Sequence, residues 1–209
     1  MTQDKHNSQP KLDAVCRYLC DIEWYGVERI PSLFPMFCGT TDDEYHQHAG
    51  MVLMLSGASR ILAPQHRIDQ FLVLEGNPGV GKSWFLQTLF GRDYFCTDQQ
   101  NGSIRDKWCI EVSETYGLSK GDARSFVERL NTLHTTGQSV YVMTNNVADS
   151  MEEPSSGLRF LPVRIERVDL GSLAAVRDQL WAESVTRLEQ MGVWKPEPYV
   201  FSPGPETTP

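Results

Sequence analysis

The stretch with the clearest chemistry runs from Phe71 to Ser83, FLVLEGNPGVGKS, an apolar run that breaks into a glycine-rich turn and closes on lysine and serine. The spacing Gly76-x-x-x-x-Gly81-Lys82-Ser83 suits a loop whose backbone N–H groups wrap a phosphate chain, because glycine lets the main chain turn inward unobstructed. In this reading the amides of residues 79 to 83 face a β-phosphate and the following helix adds the positive end of its dipole. Lys82 reaches between the β- and γ-phosphates, and Ser83 offers its hydroxyl to Mg²⁺. Pro78 needs no N–H in such a turn. The candidate nucleotide-binding segment is therefore Gly76, Asn77, Pro78, Gly79, Val80, Gly81, Lys82, Ser83 and Trp84, with ATP and Mg²⁺ as the ligands.

Hydrolysis at such a loop requires a carboxylate that holds the Mg²⁺ water shell and a second that orients the attacking water. Lys107–Val112, KWCIEV, reads as a buried strand with an acid near its end, which makes Glu111 (towards Mg²⁺, through water) and Glu114 the candidates. Asn145, at the tip of the strand SVYVMT, is placed to bond a γ-phosphate or the lytic water. Arg159, after the polar loop 148–157, is placed to reach the γ-phosphate of a neighbouring subunit. The same residues also read as solvated strand-end acids, a turn asparagine and a surface ion pair.

The elements that must carry these groups follow from periodicity. The pattern and the glycine motif predict a single α/β domain of P-loop NTPase type, with a parallel central sheet flanked by helices and a small N-terminal helical preamble. Residues 1–10 read as a disordered tail, 11–66 as an N-terminal helical segment, 67–194 as the ATPase core and 195–209 as a proline-rich tail. Leu12, Val15, Cys16 and Leu19 fit a short amphipathic helix, and a second helix spans Asp43 to Leu62, stopped by Pro64. Between them the aromatic segment IEWYGVERIPSLFPMF reads as irregular, packed down by Trp24, Phe34 and Phe37. Trp84 to Phe90 forms the apolar face that pins the loop helix to the sheet. Gly91 through Gly102 reads as a linking region. Ser119 caps a helix bearing Ala123, Phe126, Val127, Leu130 and Leu133, and Ser139–Thr144 and Leu158–Ile165 are strands. Ser172 caps the last helix, which ends before Gly192.

Forty per cent hydrophobic residues in 209 allow one sizeable core. No window is apolar enough for a membrane span and the N-terminus lacks a leader's apolar region, so a cytoplasmic protein with no membrane partner is expected. The five cysteines are scattered, without zinc spacing, and read as reduced thiols. His46 and His48 fall in a helical pattern where i and i+2 diverge, so no metal is assigned to them. The formal net charge of −8 weakens any expectation of single-stranded or origin DNA binding by an isolated subunit, since that affinity rests on phosphate neutralisation. A ring with basic loops at its pore escapes this argument.

Taken in order, Trp24-Tyr25-Gly26-Val27-Glu28-Arg29, LVLEGNPGVGKS, DKWCIEVSE, MTNN, RFLPV and DQLWAES resemble the virulence-associated E family of phage and genomic-island P-loop ATPases, akin to the helicase half of primase-helicases. The similarity spans about Leu12 to Trp194. It implies an oligomeric, Mg²⁺-ATP-driven motor of mobile-element DNA replication in a phage-infected or island-bearing bacterial cell. Glu111, Glu114, Asn145 and Arg159 stand in the places of the family's acidic, sensor and arginine-finger residues. Two departures concern function. The family's basic, tyrosine-rich stretch is reduced to HTTGQ between Leu133 and Ser139, and Leu158 replaces the first of an arginine pair. No primase domain is expected ahead of the motor within these residues. ATP binding is thus the expectation and strand separation is not. The alternative is a compact adaptor or inhibitor that joins a replicative helicase, initiator or other replication protein without unwinding DNA. A small-molecule phosphotransferase would want an arginine-rich lid, and the arginines after the sensor strand form no such cluster.

Overall fold

The computed structural model describes residues 9–66, 68, 70–97, 106–113, 139–146 and 159–195. Helices α1 (Gln9–Asp21), α2 (Leu33–Cys38) and α3 (Glu44–Leu62) precede strand β1 (Gln70–Glu75) and helix α4 (Lys82–Phe90). A 3₁₀ turn (Arg92–Tyr94) leads into β2 (Phe95–Thr97), followed by β3 (Cys109–Ser113), β4 (Val140–Asn145), β5 (Arg159–Arg164) and the long helix α5 (Leu170–Gln190). The strands lie in the order β2-β3-β4-β1-β5, and every pairing is parallel.

Parallel strands covered on both faces read as near-continuous apolar runs, and β1 and β4 do so. On one face Leu72, Leu74, Val140, Val142 and Val163 join α1, α3, α4 and α5 in a single cluster. Phe71, Val73, Ile110, Tyr141 and Met143 are buried on the other. The helix expected from Ser119 lies outside the described residues.

The centre of the larger cluster is aromatic. Trp108 and Trp181 lie with ring centroids 4.3 Å apart, and Phe90 meets both edge-on at 5.1 and 5.2 Å. The Trp108 indole donates to the Gly57 carbonyl at 2.8 Å, and Trp181 donates to that of Leu89 at 2.8 Å. Gly57 makes room on α3, because a Cβ there would stand 2.4 Å from Trp181 Cη2. Gly57→Ala must therefore displace an indole that is hydrogen-bonded on its far side. It is expected to cost about 1–3 kcal/mol, the range for overpacking a close-fitted core, read as a lower denaturant midpoint at constant m-value.

Several elements differ from their expected form. The aromatic segment is not wholly irregular, since Leu33–Cys38 closes a helical turn and a half that ends at Gly39 with φ 72°. Leu33, Phe34 and Phe37 are buried there, while Trp24 is only half-buried. The linking region contains β2, a three-residue strand paired with β3, too short to leave a periodic signal. Asp169 rather than Ser172 caps α5. Its carboxylate accepts from the Ser172 amide at 3.0 Å and hydroxyl at 2.8 Å, and these bonds hold it below the usual carboxylate range.

Two polar devices fix the ends of the fold. The aromatic segment is tied to α5 by Gln179, which accepts from the Tyr25 amide and donates to the Glu23 carbonyl, and by the buried Glu183. On outer strand β5 the Pro162 carbonyl accepts the Tyr45 hydroxyl at 2.8 Å. His46 bonds Asp43 at the start of α3 and His48 meets Gln70, so both histidines serve local contacts on a helix. Among the described residues no helix is long and apolar enough to cross a membrane.

Candidate functional site

The turn leaves β1 at Glu75 and enters α4 at Lys82. Gly79 and Gly81 hold φ of 81° and 108°, backbone that a residue with a Cβ adopts only under strain. A Cβ on Gly81 would also stand 3.2 Å from Val168. The turn is closed by Val80 N–H to the Asn77 carbonyl and anchored to β4 by Gly76 N–H to the Asn145 carbonyl, both at 3.2 Å. Asn77, Pro78 and Gly79 are exposed at its crest.

Lys82 folds back over the turn, its ammonium donating to the carbonyls of Gly76 at 2.7 Å and Asn77 at 3.3 Å. Partial burial lowers its pKa from the ordinary lysine value, and the nearby Glu111 carboxylate opposes that shift. The first N–H groups of α4 have no acceptor within the helix, so the cation and the amides leave a locally electropositive mouth.

Glu111 lies on β3, in phase with the core-facing Cys109, and is 2% exposed. Its Oε1 accepts from the Ser83 hydroxyl at 2.9 Å and the Thr144 hydroxyl at 2.8 Å. Its Oε2 is buried without a hydrogen-bond partner. Asn145, 4% exposed, uses its carbonyl on the turn and has its Nδ2 buried unpartnered. Registers Glu75↔Asn145, Val112↔Met143 and Ser113↔Thr144 bring these groups to one end of the sheet. Unsatisfied buried polar atoms cost about 1–3 kcal/mol each, so two beside a cationic turn are a polar site rather than packing.

The structure therefore gathers Lys82, Ser83, Glu111 and Asn145 around the turn Gly76–Gly81. Glu114 lies outside the described residues. Arg159 does not join the group. Its register with Gln70 puts it at the opposite end of β5, about 16 Å along the strands at ~3.3 Å per residue. Trp84 does not pack with the apolar face of α4 as expected. It is 57% exposed, whereas Phe85, Leu86, Leu89 and Phe90 are fully buried.

Thr144 is the group that sequence reading passed over. It orients Glu111, and its signal was a hydroxyl in phase with Val140 and Val142 on the helix-facing side of an apolar alternation. A polar cavity of about 700 Å³ lies elsewhere, lined by Gln87, Arg92, Tyr94, Thr97 and Lys107 among others, and no residue of the turn lines it. Among the described residues no group of three or more His, Cys, Asp or Glu is arranged to hold a metal. The oxygens that remain for a cation are Glu111 Oε2 and the hydroxyls of Ser83 and Thr144. This all-oxygen donor set suits a hard divalent ion that keeps most of its waters.

Fold and site together define an α/β protein with a five-stranded parallel sheet flanked by helices and a cationic glycine turn facing a buried acid. The sequence model of the virulence-associated protein E-like domain matches residues 19–200, and the chain belongs to that family. No curated protein matches it. Among solved structures, the A-form apo structure of the NrS-1 C-terminal region is similar, with TM-score 0.51 at 14% identity over 80% of this chain and 47% of that one. A second apo structure of the same region gives TM-score 0.43 at 15% identity, over 80% and 45%. The chain spans about half the length of those structures.

Proposed function

We propose that the chain is a P-loop NTPase of AAA+/superfamily-3-like type. It binds Mg²⁺-ATP at Gly76–Ser83, hydrolyses it, and works as an oligomer, a ring or partial ring, in the replication or maintenance of phage or genomic-island DNA in the bacterial cytoplasm. The observation that carries this reading is the half-satisfied carboxylate of Glu111, bonded through Oε1 to the hydroxyl of Ser83 and left open at Oε2. The strand order supports it. With β4 between β1 and β3, the turn, Asn145 and Glu111 lie together at the carboxyl side of the sheet, the side on which ligands of open α/β sheets bind. Family membership supports the setting.

In this reading the turn's amides hold the phosphates, Lys82 leaves its carbonyl partners for them, and Asn145 Nδ2 bonds the γ-phosphate or the attacking water. Glu114 orients that water. Ser83 and, through water, Glu111 would hold Mg²⁺, which would neutralise charge on the phosphates. Arg159 acts in trans on a neighbouring subunit's site. Phosphate release from the wild-type chain should depend on Mg²⁺, and Glu111→Gln is expected to lower it about 10–100-fold while ATP still binds. A wild-type chain that neither binds nor cleaves ATP would remove the reading.

A second reading, an adaptor or inhibitor that joins a replicative helicase or initiator, is favoured by the net charge of −8. Hydrolysis stimulated by single-stranded DNA argues for the motor. Its absence, together with a stable complex with such a partner, argues for the adaptor.

A further inference from the structure

Trp84 sits in the first turn of α4, two residues after Lys82, with 57% of its surface in water. The apolar face of that helix is complete without it, since Phe85, Leu86, Leu89 and Phe90 are each wholly buried. An aromatic ring of this size gains more from burial than almost any other side chain, so one left out beside a polar site is a surface awaiting a flat partner. The site supplies independent evidence of a ligand in the buried, unpartnered Glu111 Oε2 and Asn145 Nδ2. If the turn holds phosphates, the base of the same molecule lies one sugar beyond them, outside the turn. Trp84 is the exposed aromatic of the helix turn that follows.

We propose that the Trp84 indole is the base-stacking surface of this site, holding the nucleobase while Gly76–Ser83 holds the phosphates. This rests on the nucleotide-binding reading above and adds a specificity to it. Stacking uses the π-face that every base presents, whereas selection among bases requires hydrogen bonds to their edges. A site whose base contact is an indole face tolerates purines of either kind, so ATP and GTP bind with affinities within a few-fold.

The test compares Mg²⁺-ATP, Mg²⁺-GTP and Mg²⁺-tripolyphosphate, which has no base, on the full chain by calorimetry. Trp84→Ala is expected to weaken ATP and GTP about tenfold, equivalent to about 1.4 kcal/mol, and to leave tripolyphosphate unchanged. Trp84→Phe restores most of the loss. Collisional quenching gives a second measurement. ATP shields a tryptophan in the wild type and shields none in Trp84→Phe. Unchanged ATP affinity in Trp84→Ala overturns the proposal. So does equal weakening of ATP and tripolyphosphate, which makes the ring a support of the turn. A Trp84→Ala chain that loses self-association while keeping its ATP affinity assigns the ring to a subunit contact instead. If the wild type binds none of the three compounds, the nucleotide reading itself falls. If Lys82→Ala loses ATP and Trp84→Ala does not, only the stacking inference falls.

Discussion

Lys82→Ala is expected to bring ATP turnover down by about 10²–10³-fold, the loss seen when one preorganised donor to a developing anion is removed. The ammonium is preorganised for that task. It hangs on the carbonyls of Gly76 at 2.7 Å and Asn77 at 3.3 Å, so it already lies over the turn that would hold the phosphates. Partial burial has lowered its pKa, and an arriving polyanion would favour the charged form. The two carbonyls are weaker partners than phosphate, so the side chain exchanges them at little cost. The fold does not depend on it, since the residue is half-buried at a helix start. Phosphate release at saturating Mg²⁺-ATP measures the effect, and the thermal midpoint should stay where it was. Unchanged turnover would take Lys82 out of the chemistry and leave the glycine turn without a function.

The largest stability effect is expected at Glu183. Its carboxylate is fully buried on α5. Oε2 accepts from the amides of Arg29 at 2.6 Å and Ile30 at 3.1 Å, and Oε1 accepts from Nε and Nη2 of Arg187 at 2.9 and 2.8 Å. Removing the carboxylate leaves two backbone amides without their acceptor and leaves Arg187 only the exposed Glu28 at 3.1 Å, which costs about 3–5 kcal/mol. Glu183→Ala should therefore lower the melting temperature by about 10 °C in a chain of 209 residues. Glu183→Gln, which still accepts from the amides, should lose less. A loss below about 1 kcal/mol for the alanine variant would show that the aromatic segment is held by its apolar contacts alone.

The sequence made the turn and its surroundings legible because each carries a local signature. Gly76, Gly81, Lys82 and Ser83 stand at fixed spacing, and Glu111 interrupts an apolar strand. The apolar runs of β1, β3 and β4 marked them as strands to within two residues at each end. What escaped depends on partners distant in the chain. The role of Thr144 exists only because β3 and β4 are neighbours, which no single strand reveals. Trp84 read as core by composition, and its outward orientation follows from four other apolar residues filling the buried arc of a nine-residue helix. Glu183 stood inside the motif DQLWAES with no role assigned to it, since its partners Arg29 and Ile30 lie more than 150 residues away. Ser172 was a good cap by type, yet Asp169, three residues earlier, captured the position with a stronger acceptor.

One consequence follows from the bond between Tyr45 and Pro162. Within a strand the carbonyl and nitrogen of a residue point to the same side, and the Pro162 carbonyl is taken by Tyr45 on the flank away from β1. Its imino nitrogen therefore also faces outward, where proline has nothing to donate, and the phenol covers the one acceptor beside it. A foreign β-segment cannot zip onto this margin at its midpoint, which guards the β5 edge against fibril-like stacking. Copies that meet along β5 are left to do so through loops and side chains, a mode in which neighbours can shift without tearing a shared ladder.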